Sequence, residues 1–409
     1  MKKSFIKSIW LLTLISTLVV VLVGCGINAL EEEGDKPVNT PVPETQNEID
    51  ESLNDTEDFE EEEEEEDEGD GTPFNNADKK RVKARGLYLT SSTAGVRLQR
   101  YIDLANTTEI NAYVIDIKNE KGIVGYNSDV PLANEMGAVA SRYDIDKVTS
   151  ELEENDIYSI GRIVVFKDPI LAENKPEYAI KNNDGGLYVF NGVNWVDPYN
   201  EESWQYAIDL AREALDRGFN EIQFDYIRFP DGRRSDMVFE SQDDREAYQV
   251  VNDFLSYARQ ELHGEIISGD IFAIVCESPG DREGIGQYFE HVGKELDYIS
   301  PMIYPSHYAL GQSINGVVFP KPDLDPYGVV LNTLLKAQSR YEDVEGHTPV
   351  IRPFLQDFTG SWIGQGNYQS YGVEQAKQQI QAVYDAGYEE WLFWDPMNNY
   401  SVDAFEKID

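Results

Sequence analysis

A short stretch of the chain, FDYIRFPDG (224–232), changes from apolar to charged within a few residues. It begins as a buried strand and then places Asp225, Tyr226 and Arg228 close together, just before a Pro and a Gly end it. Carboxyl groups serve as acids, bases and nucleophiles in hydrolytic enzymes, and a nearby cation favours their ionised form. The stretch therefore predicts a strand that starts in the core and ends in the wall of a site.

The same change recurs at the ends of other apolar segments. Strand-end aspartates are most often helix N-caps or turn residues, and the Pro that follows Asp168 and Asp395 suits a turn. Six of them on separate segments are harder to explain in this way. The six are Asp116, Asp168, Asp225, Asp270, Asp357 and Asp395. The remaining polar segment ends offer Lys118, Tyr304 and His307.

Eight short segments rich in β-branched and aromatic residues are the predicted strands that position these groups. They cover 85–91, 112–118, 159–169, 221–230, 265–273, 298–306, 349–358 and 389–396. Amphipathic helical patterns lie between them, at 200–220, 245–264 and 373–388. Repeated strand–helix alternation predicts an α/β fold, a (β/α)8 TIM barrel in a single domain. An open doubly wound sheet is the alternative, but no Gly-x-Gly-x-x-Gly follows the first strand.

Side chains alternate between the two faces of a strand, which indicates the groups that can face the barrel axis. By this count Asp116, Asp225 and Asp270 share the axial face at one end of the barrel, with Lys118 beside Asp116. Tyr226 falls on the opposite face, toward the helices. Barrel enzymes work at the carboxyl ends of their strands, so we expect the three aspartates to meet in an active site.

Aromatic residues accompany the carboxylates in the same predicted loops. Their flat faces suit the apolar C–H faces of sugar rings, while carboxylates can bind hydroxyls and transfer protons. This mixture predicts a carbohydrate cleft. The aromatic residues are Trp195, Tyr226, Tyr304, Tyr308, Trp362 and Trp394.

Five motifs, RGLYLTS, AYVIDIKNEKG, FDYIRFPDG, SPMIYPSHY and WLFWDPMN, together resemble the bacterial family of putative glycosyl hydrolase domains across residues 84–400. The resemblance implies a barrel and a glycosidase-like site. We therefore expect a glycoside hydrolase that cleaves a cell-surface or extracellular polysaccharide with two carboxyl groups. By its position Asp225 resembles the nucleophile of several barrel glycosidase groups. No Glu ends the fourth or seventh strand, so the commonest two-glutamate arrangement is absent.

Asp270 is the expected acid/base partner of Asp225, with Glu277 in reserve. Asp116, Asp357 and Asp395 are expected to bind hydroxyls or tune the pair's pKa values, and Lys118 or Arg228 to keep one carboxylate ionised. The full set of predicted substrate-binding residues is Asp116, Lys118, Tyr226, Arg228, Glu277, Tyr304, His307, Asp357, Trp394 and Asp395.

Two other functions are compatible with parts of this pattern. A non-catalytic glycan-binding barrel would use the same aspartates and aromatics, and only turnover distinguishes it. A metal-dependent deacetylase or phosphodiesterase is disfavoured, because the four histidines form no close ligand pair. We therefore expect no metal and no cofactor. Nucleic acid is disfavoured as a partner by the net charge of −24 on residues 79–409, and we expect a monomer.

The N-terminal residues 1–25 read as a targeting segment, with a basic start, an apolar run and LVGC. LVGC resembles the lipobox of bacterial lipoproteins, which implies lipidation of Cys25. The alternative is an uncleaved membrane anchor, but the run of about 15 residues is shorter than the roughly 20 that span a bilayer.

Residues 26–78, with 22 acidic residues and one Lys, are predicted to be a disordered linker. We expect the domain at 79–409 to lie outside the cytoplasm, anchored to the bacterial cell membrane.

Overall fold

Parallel strands close into a barrel in the computed structural model, which describes residues 73–407. The barrel strands are β1 (Arg85–Leu89), β2 (Ala112–Lys118), β3 (Tyr158–Val164), β4 (Glu221–Asp225), β5 (Ile267–Phe272), β6 (Tyr298–Ile303), β7 (Val350–Ile351 and Phe354–Gln356) and β8 (Trp391–Trp394). Each pairs in parallel with the next along the chain, and β1 also pairs with β8, so the sheet has no open edge here. The predicted (β/α)8 barrel is confirmed.

Helices connect most of the barrel strands and cover the outside. Their bounds are α1 (Ser91–Thr107), α2 (Pro131–Glu135), α3 (Ile145–Glu154), α4 (Pro169–Asn174), α5 (Trp204–Asp216), α6 (Ala247–Glu261), α7 (Phe289–Val292), α8 (Pro326–Tyr341) and α9 (Val373–Asp385). The three helices predicted from periodicity are α5, α6 and α9. Gly218, two residues after α5, has φ +97°, a conformation that glycine adopts without steric cost.

Two apolar layers hold the barrel together. The outer layer packs strand residues against helices; Phe224 of β4, for example, lies edge-on to Phe254 of α6 at 5.5 Å between ring centroids. The second layer fills the barrel interior beneath the mouth, where Tyr88, Ile160 and Leu392 are buried together. Hydrophobic burial on both sides of the strands therefore fixes the direction in which each strand-end residue points.

Short strands extend the loops at the carboxyl ends of the barrel strands. They are Val124–Tyr126, Val139–Tyr143, Val189–Phe190, Val193–Asn194, Gln312–Ile314 and Val317–Phe319. The last two pair antiparallel as a hairpin in the loop after β6. These insertions enlarge the face of the barrel on which TIM-barrel enzymes place their active sites.

The first described residues pack against the opposite end of the barrel. Phe74 lies under the guanidinium of Arg259 at 3.9 Å, and buried Asn76 donates to Asp297 Oδ1 at 2.9 Å. These contacts begin before Lys79, the predicted start of the domain. Cys25 and most of the predicted linker lie outside the described residues. Between residues 73 and 407, we find no helix long and apolar enough to cross a membrane.

Candidate active site

Asp225 and Asp270 lie on neighbouring strands at the mouth of the barrel. Phe224 of β4 is in register with Gly269 of β5, and the two aspartates are the next residues on their strands. Both line one cavity of about 560 Å³. Because neighbouring strands run about 4.8 Å apart, this register places the two carboxyl groups side by side on the axial face.

Arg162 of β3 is the cation in contact with Asp225. The Nε and Nη2 atoms of Arg162 donate to Asp225 Oδ2 at 3.0 and 2.6 Å, and the backbone N–H of Tyr226 donates to Oδ1 at 2.6 Å. Asp225 is buried, and its side chain accepts hydrogen bonds from the Arg162 guanidinium and from the backbone of Tyr226. A guanidinium in such two-atom contact stabilises the ionised form of a carboxyl group.

Arg162 is shared with a second aspartate. Its Nη1 atom donates to Asp116 Oδ1 at 2.6 Å, and the hydroxyl of Tyr88 donates to Asp116 Oδ2 at 2.7 Å. Burial alone lowers the pKa of Arg162, but the charges of Asp225 and Asp116 raise that pKa well above its ordinary value. The guanidinium therefore stays charged. Asp116 does not line the cavity, and it contacts the site through Arg162.

Asp270 has the opposite environment. Its side chain is buried, and its Oδ1 atom has no hydrogen-bond partner in the structure. Burial, followed by repulsion from Asp225, raises the pKa of Asp270 well above its ordinary value, and Arg162 offsets this only in part. The two neighbouring carboxyl groups therefore have contrasting environments: Arg162 contacts Asp225 directly, whereas Asp270 is buried with one unpartnered oxygen. Such a pair is the usual basis of acid–base assignment in an active site.

The cavity around this pair has largely aromatic walls. Tyr304 and Trp394 stack at 5.7 Å between centroids with an angle of 22° between their planes. His307 lies at the rim, exposed and edge-on to Tyr304 at 5.4 Å. The aromatic side chains that line the cavity, apart from His307, are Tyr226, Phe272, Tyr304, Tyr308, Phe354 and Trp394. A concave, apolar surface with two carboxyl groups at its base suits a sugar ring.

Tyr226 reaches the cavity because the backbone turns after Asp225. Its φ of +53° is rare for a residue other than glycine, asparagine or aspartate. Simple alternation predicted that Tyr226 would face the helices. The strand instead ends at Asp225, and the left-handed residue turns its ring to the cavity wall while aiming its N–H at Asp225. Backbone strain of this kind is concentrated at functional sites.

Arg228 has a different partner from the one considered from sequence. Its guanidinium lies over the rings of Phe272 at 4.3 Å and of Trp195 and Tyr226 at 5.0 Å, and it pairs with Asp231 at 3.5 Å. Arg228 therefore braces the aromatic wall, and Arg162 is the cation that contacts Asp225. The sequence signal for Arg162 was a lone charged residue within the apolar strand SIGRIVVF.

Lys118 does not share the axial face with Asp116. Asp116 is in register with Arg162, but Lys118 is in register with Ile163, so one extra residue on β2 forms a bulge. A bulge shifts the alternation by one position. Lys118 consequently points away from the barrel axis and toward the helix layer, where its buried Nζ atom pairs with Asp168 Oδ2 at 2.5 Å. Asp168 is also the N-cap of α4, the structural role that its position before Pro suggested.

The other predicted carboxylates serve the loops around the cavity. Asp357 accepts from Ser401 N at 2.6 Å and from Ser401 Oγ at 2.8 Å. Asp395 accepts from the backbone N–H groups of Met397 and Asn399, closing a turn. Glu277 accepts from the N–H of Asn315 at 3.1 Å, in the hairpin after β6. None of these three carboxylates is among the residues lining the cavity.

No group of three or more His, Cys, Asp or Glu side chains placed to hold a metal ion occurs within residues 73–407. The carboxyl, guanidinium and imidazole groups that line the cavity belong to Asp225, Asp270, Asp231, Arg162 and His307.

Comparison with known proteins supports the fold and family described by these motifs. A sequence model of the family "Putative glycosyl hydrolase domain" matches residues 86–400. A hypothetical protein from Ruminiclostridium thermocellum ATCC 27405 is similar at 50% identity, over 45% of this chain and 96% of its own, with a TM-score of 0.43. No curated protein matches the chain.

Two glycosidases of known structure are also similar to this chain at low identity. The PgaB (BpsB) glycoside hydrolase domain from Bordetella bronchiseptica is 12% identical over 80% of this chain and 100% of its own, with a TM-score of 0.55. The α-galactosidase TtGalA from Thermus thermophilus is 14% identical over 81% of this chain and 67% of its own, with a TM-score of 0.48. At these identities the likeness to the Bordetella domain shows a common barrel fold.

Proposed function

We propose that this chain, which belongs to the family of putative glycosyl hydrolase domains, hydrolyses glycosidic bonds of a polysaccharide with Asp225 and Asp270 as its catalytic pair. The observation that carries the proposal is the contrast between the two carboxyl groups. Arg162 donates two hydrogen bonds to Asp225, while Asp270 is buried beside it with a raised pKa and an unpartnered oxygen. Glycoside hydrolysis uses two carboxyl groups in different roles, one as a carboxylate and one as a proton donor.

Asp270 acts first as the general acid. Its carboxyl proton passes to the glycosidic oxygen as the bond from that oxygen to the anomeric carbon breaks. The Asp225 carboxylate attacks the anomeric carbon and forms a glycosyl ester. Formation of the ester removes the negative charge of Asp225, so the repulsion that opposed ionisation of Asp270 falls at the step that ionises it.

Water completes the reaction in the second step. The Asp270 carboxylate takes a proton from the water, which attacks the anomeric carbon and releases Asp225 as a carboxylate beside Arg162. Adjacent strands about 4.8 Å apart suit the roughly 5–5.5 Å between carboxyl groups in enzymes that retain configuration. We therefore expect retention, whereas inverting enzymes keep about 6.5–9.5 Å to admit a water molecule.

A polysaccharide outside the cytoplasm is the proposed substrate. The aromatic walls of the cavity suit sugar rings, and the predicted lipidation of Cys25 would hold the domain at the bacterial cell surface. The net charge of −24 on residues 79–409 disfavours polyanionic polymers by long-range repulsion.

The test is release of reducing ends by the full chain from a panel of bacterial surface and extracellular polysaccharides. We expect Asp225→Asn to lower turnover by about three orders of magnitude or more while the fold persists, since loss of a nucleophile removes the covalent step. Asp197→Asn is a matched control: Asp197 is equally buried and accepts from Tyr199 N at 3.0 Å, but lies outside the cavity lining. Binding without turnover would instead indicate a glycan-binding barrel.

A further inference from the structure

An aromatic surface continues from the cavity onto the outside of the barrel mouth. We call its residues His307, Phe358 and Trp362 the aromatic platform. His307 lines the cavity and lies edge-on to Trp362 at 5.7 Å. Phe358 and Trp362 stack at 5.9 Å with their planes 20° apart. The platform thus forms one continuous surface with the candidate active site.

Packing from within the cavity fixes the inner end of the platform. Phe358 is buried and lies edge-on to both Tyr304 at 5.5 Å and Trp394 at 5.3 Å, which are cavity walls. These contacts tie the loop after β7 to the loop after β6. The position of the platform relative to Asp225 and Asp270 is therefore set by the same side chains that shape the cavity.

A close approach between the loops after β6 and β7 fixes the outer end of the aromatic platform. A Cβ atom on Gly360 would lie 2.5 Å from the Cβ atom of Ser306, so only glycine permits the loops to pack this tightly. The next residues, Ser361–Ile363, form a single 3-10 turn that presents Trp362. This side chain is 63% exposed. An exposed tryptophan that continues the aromatic wall of a cavity is a candidate ligand contact.

The chemistry of the surrounding loop indicates what that ligand is. Residues 358–373 contain no Asp, Glu, Lys or Arg, although charged residues make up 27% of the chain. The loop carries amide and hydroxyl side chains instead, such as Ser361, Gln365 and Asn367. Aromatic faces combined with neutral hydrogen-bonding groups match an uncharged sugar, which has apolar C–H faces and hydroxyl edges.

We propose that the aromatic platform is a second sugar-binding subsite, which stacks an uncharged pyranose unit of a glycan polymer on Trp362 while another unit occupies the cavity. The inference rests on the proposed function and extends it to substrate class. It predicts an enzyme that prefers chains of several neutral sugar units to monoglycosides. A substrate that fills only the cavity gains nothing from the platform.

The binding experiment uses the full chain carrying Asp225→Asn, so that turnover does not consume the ligand. Affinity electrophoresis in gels containing laminarin, dextran, hydroxyethyl cellulose or glycol chitin measures retention by neutral polymers. We expect at least one polymer to retard the protein and Trp362→Ala to weaken that retention about 10-fold, in line with the loss of one aromatic stacking contact. Trp362→Phe keeps an aromatic face and should restore most of it. Val96→Ala, at a position 79% exposed on α1, is the control and should bind like its parent.

The kinetic experiment separates this inference from the proposed function. Trp362→Ala in the active chain should raise KM for the retained polymer about 10-fold and leave kcat/KM for a p-nitrophenyl monoglycoside unchanged. If the active chain hydrolyses the polymer and Trp362→Ala has the same KM for it, the inference is overturned and the proposed function stands. Trp362-dependent binding without any hydrolysis would support the subsite and overturn the function. If no neutral polymer retards the Asp225→Asn chain, the platform is not a sugar subsite. The same holds if Trp362→Ala changes the sedimentation coefficient of the protein but not its retention by any polymer.

Discussion

Replacing Arg162 with Met is the sharpest test of the charge arrangement in the site. The substitution keeps an unbranched apolar stem and removes three hydrogen bonds, two to Asp225 and one to Asp116. Both aspartates are buried and, within residues 73–407, depend on Arg162 for their only contact with a cationic side chain. Breaking a buried ion pair by removing one partner costs about 3–5 kcal/mol. We expect the free energy of unfolding to fall by at least this amount at pH 8.

The loss should depend on pH with a definite sign. Burial raises the pKa of Asp116 and the charge of Arg162 lowers it, so without the cation we expect the pKa of Asp116 to rise further above its unfolded value. Groups whose pKa is raised by folding stabilise the folded state when protonated, and that stability is lost as pH rises through the folded pKa. The difference between parent and variant should therefore be full at pH 8 and clearly smaller at pH 5.

Urea unfolding of the full chain, followed by tryptophan fluorescence at both pH values, measures this difference. Arg259→Met is the matched control. Arg259 pairs with buried Asp297 at 2.7 Å, but Asp297 keeps Arg81 at 2.7 Å and Asn76 at 2.9 Å, so the loss in the control should depend less on pH. A loss below about 1 kcal/mol for Arg162→Met, or an equal loss at both pH values, would refute the assignment of Arg162 as the cation that stabilises both aspartates.

Three further outcomes follow from the structure and the sequence. Asp270→Asn should abolish proton donation, so hydrolysis of substrates with poor leaving groups should fall about 100-fold or more, whereas p-nitrophenyl glycosides should be less affected in a steady-state assay. Burial raises the pKa of Asp357 to about 7, so its contribution to stability should be lost as pH rises from about 4 to 7. Asp357→Asn should remove that part of the pH dependence in thermal unfolding, and an unchanged profile would contradict it. Cys25→Ser should release the full chain from bacterial membranes into the soluble fraction, and undiminished membrane association would rule out a lipid anchor at Cys25.

The barrel could be predicted because its pattern is local and repeated. Each strand carries its own apolar or alternating stretch and each helix its own amphipathic stripe, so the order of elements can be read along the chain. The same alternation placed Asp116, Asp225 and Asp270 on the axial face, where they lie in the structure. Closure of a parallel sheet into a barrel brings such strand ends together whichever loops connect them.

Alternation fails where the backbone departs from a regular strand. A bulge in β2 turned Lys118 toward the helix layer, and a left-handed residue after β4 turned Tyr226 toward the cavity. Both departures depend on a single residue's backbone conformation. Nothing in residue type marked them, since neither site carries the glycine or asparagine that usually adopts such a conformation.

The sequence by itself determined the fold, the axial aspartates and the aromatic character of the mouth, because periodicity and residue type act over a few neighbouring positions. Only the tertiary structure decided the environment of each carboxyl group. Asp225 and Asp270 have the same side chain and the same strand position, but of these two only Asp225 is in direct contact with Arg162, 63 residues before it in the chain. Asp357 and Asp395 likewise became loop anchors through contacts with Ser401 and with a local turn. Whether an aspartate is an acid, a base or a structural residue depends on burial and on partners distant in the chain, which only the folded barrel brings into contact.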